Sequence, residues 1–112
     1  MKIAIPLAEG QLCQHFGHCE EFAIMDVNSQ ENCVSGIYRE APPAHAPGVL
    51  PQWLAEHNVT VVIAGGMGSR AQALFTENGI KVVIGAAGGS PEEVANAYLN
   101  GTLQTGGNIC DH

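Results

Sequence analysis

The stretch Val59-Thr60-Val61-Val62-Ile63-Ala64-Gly65-Gly66-Met67-Gly68-Ser69 decides the fold class. Its first six residues form a nearly continuous apolar run rich in β-branched side chains. That is the pattern of a strand covered on both faces rather than of one alternating between core and water. Three glycines then end the run. A helical pattern follows from Ser69 to Asn78, with Ser69 a plausible N-cap and Gly79 as the stop. A buried strand leading through glycines into a helix is the unit of a parallel α/β sheet.

Working outward, the same unit recurs. Lys81 to Ile84 is a second apolar strand, followed by Gly85-Ala86-Ala87-Gly88-Gly89. Ser90-Pro91-Glu92-Glu93 then reads as a helix start, with a hydroxyl cap, proline at the first position and acids in the first turn. That helix runs to Asn100 and stops at Gly101. On the other side, Leu50, Trp53, Leu54 and His57 recur at helical spacing and predict a helix over Val49 to Asn58. The preceding stretch, Glu40 to Gly48, holds three prolines in nine residues and is expected to be a loop.

The first third has a different rhythm. Lys2 to Leu7, Glu21 to Val27 and Cys33 to Arg39 are rich in β-formers, and the polar turn Asn28 to Asn32 suggests a hairpin between the last two. Ala8 to Gln14 reads as a loop. The expected order is β-β-β-α-β-α-β-α: an α/β fold with one mixed five-stranded sheet and flanking helices. The domain is expected to span residues 1–101, with residues 102–112 as a flexible C-terminal tail.

Composition bounds the function. The chain has 112 residues, enough for one domain with its own core. With 46% hydrophobic and 13% charged residues it has the balance of a globular protein. Eleven Asp and Glu against four Lys and Arg leave a net charge of −7, which repels phosphate backbones and argues against a nucleic-acid partner. No segment approaches the length of a membrane span, and the apolar run at the N-terminus is too short for a secretory signal peptide. A cytoplasmic location is therefore expected, where thiols stay reduced and four cysteines point to metal or redox chemistry before disulfides.

The densest group of ligand-type side chains is Cys13, His15, His18 and Cys19, four within seven residues. Thiolates select zinc, copper(I) or iron–sulfur species, and imidazole suits zinc, copper and iron. The spacing matches neither a zinc finger nor a ferredoxin, so it does not specify the metal. Cys110 and His112, flanking Asp111 in the tail, either complete a metal site or form an end without function. Cys33 opens a strand and reads as structural, and His57 as a surface or boundary residue. His45 lies in the proline-rich loop, where functional residues concentrate.

The turns Gly65-Gly66-Met67-Gly68 and Gly85 to Gly89 lack the phosphate-loop and dinucleotide patterns. They are either plain strand-to-helix turns or backbone cradles for an anionic metal–sulfide cluster, whose sulfur atoms accept amide hydrogen bonds. Arg70, one of the four cationic residues, would offset cluster charge.

Taken together, M-K-I-A-I-P at the start, H-F-G at residues 15–17, the apolar strand ending in A-G-G-M-G, and the closing P-E-E-V helix carry a resemblance. The chain resembles the dinitrogenase iron–molybdenum cofactor biosynthesis family of NifX-type and NafY-core domains and their small stand-alone relatives. The resemblance extends to about Gly101. It implies a ribonuclease H-like fold, and binding or carriage of an iron–sulfur or molybdenum-containing metal–sulfur cluster on behalf of a cofactor-assembly or recipient protein. It also implies that the motif histidine, a cluster-ligand candidate, is His15, that the histidine before the first helix is His45, and that the glycine turn is Gly65, Gly66 and Gly68. Cys13, Cys19 and the Cys110-Asp111-His112 tail are additions to the minimal motif and favour a sulfur-ligated metal.

The alternatives are weaker. A structural-zinc or interaction module fits the Cys and His content. A thiol redox protein lacks C-x-x-C. A divalent-metal nuclease of ribonuclease H-like fold needs gathered carboxylates. The first strand has none, and Glu21 and Asp26, five apart, face opposite sides of the second. The chain is expected not to be an enzyme.

Overall fold

The computed structural model describes residues 1–12, 21–28, 30–41, 49–86 and 89–103. The elements are β1 (Lys2–Ala8), β2 (Gln11–Leu12), β3 (Glu21–Asn28), β4 (Cys33–Glu40), α1 (Val49–Glu56), β5 (Val61–Ile63), α2 (Ser69–Glu77), β6 (Lys81–Val83) and α3 (Pro91–Asn100). The sheet has the order β4-β3-β1-β5-β6, and β2 pairs with β1 off this path. The β1–β3 and β3–β4 pairs are antiparallel, whereas β1–β5 and β5–β6 are parallel. The sheet is therefore mixed, as expected, but among the described residues it has six strands rather than five. The extra one is β2, in the stretch read as a loop. Glu9 and Gly10 both take positive φ, 55° and 81°, and fold β2 back onto β1 through a two-residue turn.

Strand alternation sends side chains to two cores. On one face Ala4, Phe22, Ile24, Val62 and Ala64 pack with Leu50 and Leu54 of α1 and Phe75 of α2. On the other, Ile3, Ile5, Leu7, Ala23, Met25, Val61 and Ile63 pack with Val94 and Ala95 of α3. The continuous apolar run at Val61–Ile63 thus has its predicted cause: helices cover both sides of the strand.

Element ends differ from the sequence reading in instructive ways. The first helix stops at Glu56 rather than Asn58, because Asn58 takes a left-handed φ of 64° and turns the chain toward β5. The ladder of β5 covers only Val61–Ile63, since the Val59 N–H donates to the Leu54 carbonyl instead. The cap of α2 is Gly68, not Ser69, and no side chain caps it.

The start of α3 is as expected. The Ser90 hydroxyl accepts from the Glu93 N–H, Pro91 opens the helix, and Gly101 closes it at φ 74°. Ser90→Ala is expected to destabilise the domain by about 1 kcal/mol. Chemical denaturation checks this; an unchanged midpoint would show that the cap is replaced by water.

Candidate functional site

Because β1, β5 and β6 run parallel, their carboxyl ends lie along one edge of the sheet. The antiparallel neighbours add to the same edge. Glu21, at the start of β3, pairs with Leu7, and Glu40, at the end of β4, pairs with Phe22. Leu12 of β2 also pairs with Leu7, and its N–H donates to the Gly89 carbonyl at 3.0 Å. Both glycine turns and the flanks of the Cys13–Cys19 segment therefore start or end here, whereas the Asn28–Asn32 turn lies at the opposite edge.

The glycine turns are joined to one another. The Gly85 N–H donates to the Gly65 carbonyl at 2.9 Å, and the Ala86 N–H to the Ala64 carbonyl at 3.3 Å. The Gln72 side-chain amide donates to the Met67 carbonyl at 2.9 Å. Gly65, Gly66 and Met67 are buried, while Gly68, Ser69 and Arg70 are exposed. The turn thus commits several of its carbonyls to the protein and leaves the first turn of α2 facing outward with no side-chain cap. Uncapped first-turn N–H groups favour an anion.

Gly68 is not required by the backbone. Its φ of −63° suits any residue, and a Cβ there would meet nothing within 4 Å among the described residues. Arg70 stands in the first helical turn, where a cation opposes the helix dipole. Three cations are engaged: Lys2 with Asp26 at 3.7 Å and over the Tyr38 ring, Arg39 with Glu21 at 3.6 Å, and Lys81 over Tyr98. Among the described residues Arg70 makes neither kind of contact.

Of the ligand-type residues, Cys13, His15, His18, Cys19, His45, Cys110 and His112 lie outside the described residues. Among the described residues, no three His, Cys, Asp or Glu side chains are grouped as a metal ion requires. Cys33 is a half-buried free thiol with Sγ 3.7 Å from a Glu31 carboxylate oxygen. Partial desolvation, and then the Glu31 hydrogen bond and charge, push its pKa up. It stays protonated near neutrality, which suits the structural reading and makes it a poor ligand. Glu21 and Asp26 are held by Arg39 and Lys2 and do not form a carboxylate pair.

Two features escaped the sequence reading. One is β2, whose signal was available as Glu9-Gly10 between extended residues. The other is the contact of His57 with Glu40, 17 positions away, for which local pattern carries no signal.

These observations define a class: a small mixed-sheet α/β domain, helices on both faces, with glycine turns and an exposed cation, unengaged among the described residues, gathered at the carboxyl ends of its parallel strands. The chain belongs to the dinitrogenase iron–molybdenum cofactor family, which it matches over residues 1–101. Membership associates it with the biosynthesis or binding of that type of cofactor. It is 30% identical over 107 residues to the uncharacterized protein MJ0580 of Methanocaldococcus jannaschii, covering 93% of this chain and 90% of that one. The crystal structure of PH0822 superimposes with a TM-score of 0.83 at 30% identity, covering 95% of this chain and 96% of that one. The apo form of the orange protein from Desulfovibrio gigas gives a TM-score of 0.72 at 20% identity, over 96% of this chain and 93% of that one, and shares the fold. Among the described residues, no helix is long and apolar enough to cross a membrane.

Proposed function

We propose that this protein binds an iron–sulfur or molybdenum-containing metal–sulfur cluster as cargo, for a cofactor-assembly or recipient protein, and breaks no bond in a substrate. The observation that carries the reading is the convergence at one sheet edge. Leu12 and Glu21, which flank the segment holding Cys13, His15, His18 and Cys19, both pair with Leu7, at the edge where the Gly65–Gly68 turn stands. His15, with Cys13 or Cys19, ligates or caps the cluster. The uncapped amides at the start of α2 hydrogen-bond its sulfides, and Arg70 offsets its charge. The segment carrying His45 shields it from water. We also take the fold as ribonuclease H-like, on the β4-β3-β1-β5-β6 order with helices on both faces.

The test is anaerobic purification with elemental analysis and a visible spectrum. Wild type is expected to take up iron, copper or molybdenum with sulfide. His15→Ala, and Cys13→Ser with Cys19→Ser, are expected to weaken retention by at least about tenfold, with retention falling below about pH 6 as the ligands protonate. Colourless protein with stoichiometric zinc would replace this reading with a structural-zinc module. Full cluster retention by both variants would remove the ligand assignment.

A further inference from the structure

The end of α1 and the end of β4 meet at a histidine whose two neighbours make incompatible demands on a neutral ring. His57 Nδ1 lies 2.8 Å from the Trp53 carbonyl oxygen, and Nε2 lies 3.0 Å from a Glu40 carboxylate oxygen. A carbonyl can only accept, so Nδ1 must carry a proton. An ionised carboxylate can only accept, so Nε2 must carry one as well. A neutral imidazole has a single N–H. For both contacts to be hydrogen bonds at once, the arrangement needs one proton more than a neutral histidine and an ionised glutamate bring to it.

We propose that Glu40, His57 and the Trp53 carbonyl form a proton-dependent clasp across the connection between β4 and α1. With the extra proton both hydrogen bonds are made, and the second is charge-assisted. Without it the ring keeps the Trp53 bond, which is local to its own helix end. The Glu40 contact is lost, because that carboxylate is 41% exposed and water can replace the ring. Glu40 is the last residue of β4 and His57 the first after α1, so the clasp holds both flanks of the segment that carries His45. Trp53 extends the contact into the core, with its indole edge-on to Phe22 at 5.7 Å and to the His57 ring at 4.8 Å.

The charged surroundings are simple. Among the described residues, Glu40 is the charged group that His57 meets from another element. Glu56 is its neighbour in the chain. Arg39, beside Glu40, pairs with Glu21, and Lys2 engages Asp26 and the Tyr38 ring. Any consequence for cargo rests on the proposed cluster-binding role. The clasp itself is tested without cargo.

The experiment is amide hydrogen exchange on the metal-free full chain at pH 5.5 and 8.5, with rates corrected to protection factors. The amides of Asn58 and Val59, bonded to the Ala55 and Leu54 carbonyls, report the helix end. In wild type their protection is expected to be about two- to fivefold higher at pH 5.5, as suits a partly exposed ion pair. Glu40→Gln should abolish that difference, because a carboxamide donates to a bare Nε2 or, turned over, accepts from a protonated one. His57→Gln should abolish it as well. Equal wild-type protection at both pH values would overturn the clasp. So would the same pH dependence in Glu40→Gln, which would place the titration elsewhere. Failure of the chain to take up a cluster leaves this readout unchanged, so the two proposals fail separately.

Discussion

Phe75→Ala is expected to lower stability by about 3–5 kcal/mol. Phe75 is fully buried and is the one buried residue of α2. It packs with Phe22, Ile24, Val62 and Leu54 in the core beneath α1 and α2. Removing the ring leaves a cavity that the sheet cannot close. Domains of this size are stable by about 5–15 kcal/mol, so the loss is a large share of the total. The melting temperature is expected to fall by on the order of 15 °C. Thermal denaturation followed by circular dichroism measures it. A fall of under about 5 °C would mean that α2 is held to the sheet by something other than this ring. The effect reaches the site as well, because α2 carries the Gly68 cap and Arg70 at its start.

If the proposed cluster binding holds, Gly68→Asp is expected to move folding stability and cluster retention in opposite directions. The backbone at Gly68 has an ordinary φ, and a Cβ meets open space. An aspartate there would cap a helix that has no side-chain cap and complement its dipole, adding about 0.5–1 kcal/mol of stability. The same carboxylate would occupy the α2 amides and set a negative charge against an anionic cluster. Retention should therefore drop by about tenfold or more, the equivalent of one lost charge-assisted contact. Chemical denaturation of the metal-free protein reads the first effect, and anaerobic titration with a pre-formed cluster reads the second. Undiminished cluster retention in a stabilised Gly68→Asp protein would remove the α2 amides from the site.

Much of the fold was open to sequence reading because it rests on local physics. The run at Val61–Ile63 is apolar at every position, which only a strand covered on both sides tolerates. Ser90-Pro91-Glu92-Glu93 satisfies a helix start within four residues, and Gly101 supplies the left-handed end. The Asn28–Asn32 turn works the same way, with the Asn28 side chain accepting from the Gln30 and Glu31 amides. The misreadings fell at a short pairing and at a helix end, where few residues carry the signal. Gln11–Leu12 has little strand character alone, and it becomes a strand because Leu7 and Gly89 offer it hydrogen bonds. Ser69 is the better capping residue by type, yet the chain enters α2 one residue earlier and leaves Gly68 at the cap.

By itself the sequence determined the element types apart from β2, the mixed sheet, the acidic balance and the soft side chains on which the cluster proposal draws. These follow from periodicity, turn chemistry and side-chain type, properties that neighbouring residues carry. The tertiary structure decided what depends on residues far apart in the chain. It brought the flanks of the Cys13–Cys19 segment to the edge that holds the glycine turns. It joined Gly65 to Gly85, left Arg70 apart from the ion pairs among the described residues, and put Glu40 against His57. Each is a contact between strands or helices whose order in the sheet no local pattern encodes.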